Sequence, residues 1–318
     1  MNAFDLPLPL RAAETDMLTV GELLIDMIAT EYEGEGGGNG YERHFGGSPA
    51  NIAMNCRHLG LRSRMTCCVG QDGMGDFLVR HLEAAGLDGP LVQRCDAATS
   101  MVVVTRSKGT PVPIFYRDAD FQLAFTPQLE AAVRNARIVH FSCWPISRVP
   151  ARQTVLRVLD AAREAGALVG FDPNYHPAIW ARGEDGIAFV RDIIGRADVV
   201  KPSEDDAARL FGPGTPQVQL ERFLTLGAKR VVMTMGKEGV LASDGHATER
   251  FEAIDAEVVD TTGAGDAFWS GFYAGSATGL SMREAIRTGL AVSALKLGKV
   301  GAVVGLPPLA QVRAQFGL

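Results

Sequence analysis

Apolar positions along this chain alternate between helical spacing and short β-rich runs. Residues 1 to 15 (MNAFDLPLPLRAAET) hold no sustained period, which predicts a loose leader. LTVGELLIDMI then reads as one strand, followed by Gly- and Glu-rich EYEGEGGGNG as an exposed loop or hairpin tip. From Ser48 a helix runs to Gly60, then a strand RMTCCV, then a helix through DFLVRHLEAAG; each helix meets a glycine able to cap it in the left-handed conformation. After residue 126 the rhythm resumes, with Thr126 as N-cap and Pro127 in the first helical position. Strand RIVHFS, a helix over 151–165, strands ALVGFD and DVV, a short helix from Ser203 and strand RVVMTM follow. Such alternation predicts an α/β fold, a doubly wound and mostly parallel sheet flanked by helices.

One block departs from this rhythm. TSMVVVTRSKGTPVPIFYR, residues 99–117, holds two β-rich segments joined by SKGTP and reads as an antiparallel hairpin. Segments of about 24–45 and 98–120 are expected to form a small β lid on a main domain spanning 16–318.

Composition narrows the function. The 318 residues are 47% hydrophobic and 21% charged, an ordinary globular balance, with no apolar run long enough for a membrane span. A net charge of −6 offers no basic field to nucleic acid. The five cysteines (Cys56, Cys67, Cys68, Cys95, Cys143) are odd in number and lack metal-type spacing, and no apolar signal core opens the chain, which favours a reducing, cytoplasmic setting. Adjacent Cys67 and Cys68 are expected in the core.

DTTGAGDAFWSGF, 260–272, carries the strongest chemistry. If the β-branched EVV before it is a strand ending at Val259, Gly263, Ala264 and Gly265 form a loop opening a helix, whose unpaired N–H groups can cradle a phosphate. Asp266 in the first turn is favoured as a carboxylate by the helix dipole. An acid beside an anion cradle makes sense where an acceptor hydroxyl between them loses its proton while attacking phosphorus. Alternatively Asp266 only caps the helix, and Ala267, Gly271, Ala274 and Gly275 form a small-residue packing face. A second constellation, GGSPANIAMNCRHLG at 46–60, sets a glycine pair before a helix bearing Asn51, with Asp26 about 20 residues upstream at the end of the first strand, a polar grouping suited to sugar hydroxyls.

The long motifs GGSPANIAMNCRHLGLRSRMTCCVGQDGMGDF (46–77) and DTTGAGDAFWSGF (260–272) resemble the two signatures of the ribokinase-like, or PfkB, carbohydrate kinases, and the resemblance covers nearly all of 17–310. It implies a ribokinase-like fold and ATP-dependent phosphorylation of a small sugar. Asp266 matches the catalytic base and the amides of Gly263, Ala264 and Gly265 the anion hole. Asp26, Gly46, Gly47 and Asn51 match sugar-contacting positions, the glycine pair being the hinge of a closing lid and the lid a candidate homodimer surface. TMGKEG (234–239) matches the nucleotide-side turn, with Thr234, Gly236, Gly239 and Lys237 as ATP neighbours. KPSEDD (201–206) aligns with the segment organising magnesium and phosphate, but Ser203 stands for the usual Asn and Asp206 for the usual Glu, so Asp206 is an indirect magnesium neighbour. The family's monovalent-cation loop would fall at Asp260, Thr262 and the KVGA turn of 299–302, which leaves room for potassium activation.

IFYRDAD (114–120) and FDPNYHPAIW (171–180) resemble blocks of fructokinases and 2-keto-3-deoxygluconate kinases, with Arg117 and Asn174 as candidate acceptor contacts. His176 replaces an Arg common to both, removing a permanent charge that a sugar acid needs more than a neutral ketose does. Fructose is therefore expected ahead of ketodeoxygluconate; Leu290, where ribokinases often carry Asn, lowers ribose slightly. A catalytically silent sugar-binding regulator would show damage at Asp266 or the anion loop, and the sequence has none. A nicotinamide oxidoreductase needs GxGxxG after the first strand, where acidic EYEGEGG stands.

Overall fold

A computed structural model describes residues 3–32, 40–87, 89–106 and 113–318. The loop tip at 33–39 and the SKGTP joint lie outside the described residues. The strands are β1 (Thr15–Val20), β2 (Leu24–Tyr32), β3 (Tyr41–Gly46), β4 (Ser63–Gly70), β5 (Val92–Cys95), β6 (Met101–Arg106), β7 (Ile114–Tyr116), β8 (Ala136–Ser142), β9 (Leu168–Asp172), β10 (Val199–Val200), β11 (Val231–Thr234), β12 (Val240–Ser243) and β13 (Thr248–Phe251).

Nine of them form one sheet in the order β13-β12-β11-β10-β9-β8-β1-β4-β5. It is parallel from β11 to β5 and antiparallel at the β11–β12 and β12–β13 edge. Every residue of β9 is buried because both faces of the sheet are covered. On one face the helices Ala151–Ala165 and Gly186–Ile194 pack on Val169 and Phe171; on the other Ala264–Ala277 and Met282–Leu297 pack on Leu168 and Val199. Cys67 and Cys68 are buried, as their strand predicts. Among the described residues no helix is long and apolar enough to cross a membrane.

The other four strands make a separate sheet, β3-β2-β6-β7, in which β2 and β6 are parallel and the outer pairs antiparallel. LTVGELLIDMI is therefore two strands, not one. Gly21 divides them: its φ is +152°, and a Cβ there would meet the Pro49 ring at 2.8 Å. Asp26 consequently sits inside β2 of the small sheet, not at the end of the first strand.

Two further expectations fail. Residues 3–14 do not hang loose: Phe4 and Leu8 are buried, and Met282 N–H donates to the Leu6 carbonyl at 2.9 Å. Residues 257–259 form no strand, since Val258 and Val259 are more than half exposed and the amides of Val259 and Asp260 both donate to the Leu297 carbonyl. β-Branched residues there satisfy a local preference without a partner strand.

Candidate active site

The sheet reverses its strand order at β1, and a cleft of about 430 Å³ opens at the C-terminal ends of the strands on that side. Glu22 follows β1, Asp172 ends β9, Lys201 follows β10 and Thr234 ends β11; the small sheet adds Asp26 and Val102. The helix Ala264–Ala277 brings its N-terminus, Gly263 to Asp266, to the same cleft.

Gly263 is the N-cap of that helix at φ +74°, a left-handed conformation, and no side chain caps the turn. Its amide and those of Gly265 and Asp266 donate to no protein acceptor among the described residues, whereas Ala264 N–H donates to the Thr261 carbonyl at 3.2 Å. Of the expected trio the Ala264 amide is thus engaged, while those of Gly263 and Gly265 remain and the Asp266 amide joins them. Asp266 is not a cap. Its Oδ1 accepts the Ser48 hydroxyl at 2.6 Å and its Oδ2 accepts the Asn51 amide at 2.9 Å. The small-residue face is real as well: a Cβ on Gly271 would meet the Thr288 carbonyl at 2.6 Å, so the glycine lets the two long helices approach.

The electrostatics of the cleft are those of crowded acids. Burial pushes Asp266 up to about 6, against the lowering hydrogen bonds of Ser48 and Asn51. Burial, then the charge of Asp266, raises Asp26 to about 7; burial raises Glu22 to about 8. Glu22 Oε1 accepts the Ser48 amide at 3.3 Å, while its Oε2 and the Asn51 Oδ1 are buried polar atoms without a partner. Orphaned atoms at a cleft are waiting acceptors, and a protonated Glu22 is also a donor.

Glu22 makes stability depend on pH. The folded chain keeps a proton that an ordinary glutamate loses near 4.5, so this contribution is complete below 4.5 and vanishes as pH rises through about 8. Glu22→Gln is expected to flatten the fall of Tm between about pH 4.5 and 8 in thermal denaturation. An unchanged slope would remove Glu22 as its source.

A second, more apolar hollow of about 250 Å³ continues from the cleft, lined by Phe268, Leu290, Leu297 and Val240 with Gly236, Gly239 and Ser293. The two share Thr234, Thr261, Ala264 and Gly265, so a flat apolar group in one is connected to an anion in the other. Ser203 and Asp206 line the first cleft, and Asn174 borders it. Asp206 is committed to a capping box, accepting from Ser203 N and Oγ at 2.9 and 2.7 Å and from Tyr175 N at 2.8 Å.

Several expected contacts lie elsewhere. Arg117 is almost wholly buried, paired with Asp120 at 2.5 Å and bonded to Ser147 Oγ and the Ile179 and Trp144 carbonyls. It holds Trp144, which does line the cleft, instead of facing an acceptor. His176 lines neither hollow; its Nδ1 accepts the Ala178 amide at 3.2 Å as a turn cap, so the residue does not discriminate between a sugar acid and a neutral ketose. Lys237 is exposed in a short turn and lines neither hollow. Gly46 ends β3 against the Asp26 carboxylate, leaving no room for a side chain, and Gly47 lines the cleft.

Sequence reasoning missed Glu22, Ser48, Asp172 and Lys201. Lys201 Nζ stands 3.2 Å from Asp172 Oδ2, which also accepts Trp269 Nε1 at 2.8 Å, and a Cβ on Gly265 would lie 3.6 Å from that ammonium. Lys201 was visible as the first residue of KPSEDD; Glu22 was hidden inside an apparent single strand.

Residues 14–308 match the pfkB family of carbohydrate kinases. The chain belongs to this family. It is a sugar kinase, a phosphotransferase with an alcohol group as acceptor. Among relatives of this carbohydrate kinase, the ATP-dependent 6-phosphofructokinase of Thermoanaerobacterium thermosaccharolyticum is 49% identical over 303 residues, 95% of this chain and 94% of that protein. Among solved structures, the fructokinase of Halothermothrix orenii superposes with a TM-score of 0.80 at 39% identity, covering 90% of this chain and 100% of that one. The fructokinase of Xylella fastidiosa with bound ATP superposes at 0.85 with 25% identity, covering 95% and 98%.

Proposed function

We propose that this kinase transfers the γ-phosphoryl group of ATP to a hydroxyl of fructose. The observation that carries the acceptor is charge: among the described residues lining the cleft, the one cation is Lys201, already paired with Asp172, while Glu22, Asp26, Asp206 and Asp266 surround it. A neutral polyol can use these acids as hydrogen-bond partners, whereas a sugar carboxylate would meet the like charge of Asp266 with the one ammonium already paired. The fructokinase likeness supports the same acceptor.

Asp266 takes the hydroxyl proton, held in place by Ser48 and Asn51. The free amides of Gly263 and Gly265 receive the phosphoryl oxygens as charge builds, and Lys201 lies within reach of the same oxygens. Asp26, Asn51 and Asn174 bind the sugar. The apolar hollow takes adenine, beside Thr234, Gly236 and Gly239. Asp206, which lines the cleft, is the residue that would stand by a magnesium ion arriving with the ATP phosphates, and that ion would supply charge neutralisation. The small sheet acts as a lid, closing about Gly46 and Gly47. Its exposed Tyr41, Ile114 and Tyr116 suit a homodimer joined through it.

A second reading is phosphorylation of fructose 6-phosphate, favoured by the 49% identical relative named for that activity. ADP release measured on fructose, fructose 6-phosphate, ketodeoxygluconate and ribose separates them. kcat/KM is expected to be highest on fructose by at least about tenfold, the equivalent of about 1.4 kcal/mol. A higher value on fructose 6-phosphate establishes the second reading instead, and a sugar acid as the best acceptor contradicts both.

A further inference from the structure

Lys296 lies in the last turn of the helix Met282–Leu297 and is fully enclosed although it carries a charge. Its Nζ donates to the Asp260 carbonyl at 2.5 Å and stands 3.6 Å from Asp260 Oδ2. The carboxylate of Asp260 accepts the amides of Thr262 at 2.9 Å and Gly301 at 2.8 Å, and the Val259 and Asp260 amides return to the Leu297 carbonyl. Through these bonds one ammonium ties segment 259–262 to segment 297–301. Gly263, whose amide is free, follows directly and packs on Ala302.

This is the place where the family resemblance puts a monovalent-cation loop, and the residues do not fit potassium. The Asp260 carbonyl, a natural ligand for such an ion, is already taken by the ammonium, and the Asp260 carboxylate is engaged as well, by the Thr262 and Gly301 amides and, at 3.6 Å, by the same ammonium. A second cation beside a buried ammonium would also be repelled. Lysine ammonium and potassium are both monovalent and compact, so one can stand for the other in holding carbonyl oxygens together.

We propose that Lys296 is a tethered cation that fixes the shape of the phosphate-binding loop, so that this kinase works without a monovalent metal ion. It is a positioning residue: it reaches the reaction through Asp260 and Gly263, not by contact with a substrate. The role rests on the phosphate-cradle reading of Gly263 but not on which sugar is the acceptor.

The test compares wild type and Lys296→Ala, on the best acceptor of the wild type, in potassium, ammonium or tetramethylammonium chloride at constant ionic strength, with Tm measured in parallel. Wild-type kcat and Tm are expected to be the same in all three salts, within about twofold for kcat. The variant is expected to lose at least about tenfold in kcat in tetramethylammonium and to recover in ammonium or potassium, which fit the vacated space, with Tm rising in step. Several-fold activation of the wild type by potassium overturns the proposal, as does a variant with wild-type kcat or a loss that neither small ion relieves. Should the alanine variant fail to fold, the wild type decides alone: independence of the ion in both rate and Tm upholds it, and potassium-dependent rate or Tm overturns it. The Tm arm separates this failure from that of the phosphate-cradle reading, since a potassium-induced Tm shift of the wild type refutes only the tethered cation.

Discussion

Asp266→Asn is expected to leave the fold and ATP binding intact while lowering kcat by about 10²- to 10⁴-fold, the range that positioned general bases contribute. Asparagine keeps the size of the side chain and a carbonyl oxygen able to accept from Ser48 or Asn51, so the helix start should survive. What it loses is the capacity to take a proton. In the wild type, burial raises this carboxyl to about 6, which keeps it largely ionised at neutral pH yet makes it a stronger base than a surface aspartate. The rate should therefore fall as pH drops through about 6, and that limb should be absent from any residual activity of the variant. Steady-state ADP release across pH checks both, and a variant with near wild-type kcat would take Asp266 out of the mechanism.

Gly263→Ala is the second large effect. The residue holds φ +74°, which costs an L-residue about 1–2 kcal/mol, and a new Cβ would meet the Ala302 Cα at 2.7 Å, a backbone atom that cannot swing aside. Relief requires the loop to turn, and with it the Gly263 amide. Loss of one preorganised donor to a developing oxyanion costs about 10²- to 10³-fold in kcat. The expected outcome is such a fall with a Tm lowered by only a few degrees, read from kinetics and thermal denaturation together. A normal kcat would show that the amide plays no part in the transfer.

How much of this was legible from sequence differs by residue, for physical reasons. Short apolar runs alternating with capped helices exposed the parallel sheet because each run is buried on both faces, as in β9. The DTTGAGD stretch was readable because small residues before a helix have a local purpose. Other features depend on distant partners. Nothing in LTVGELLIDMI distinguishes the strand of one sheet from that of another; only the tight approach of Pro49 to Gly21 does. EVV has strand-forming residues but no neighbouring strand to bond. Arg117 carried the right charge for an acceptor contact, yet Asp120, three residues on, claims it. Lys296 was overlooked because a lysine near a helix end usually reaches water, and here the chain folds over it.

The central claim is spatial: the Gly263 and Gly265 amides and the Asp266 carboxylate address one phosphorus from two sides. A crystal structure with ADP, magnesium, aluminium fluoride and the preferred sugar measures it directly. The predicted result is a planar fluoride within hydrogen-bond reach of the Gly263 and Gly265 amides, with the reacting sugar hydroxyl between it and Asp266 Oδ. A fluoride held elsewhere, or an Asp266 that stays on Ser48 and Asn51 with no approach to the hydroxyl, would contradict the account.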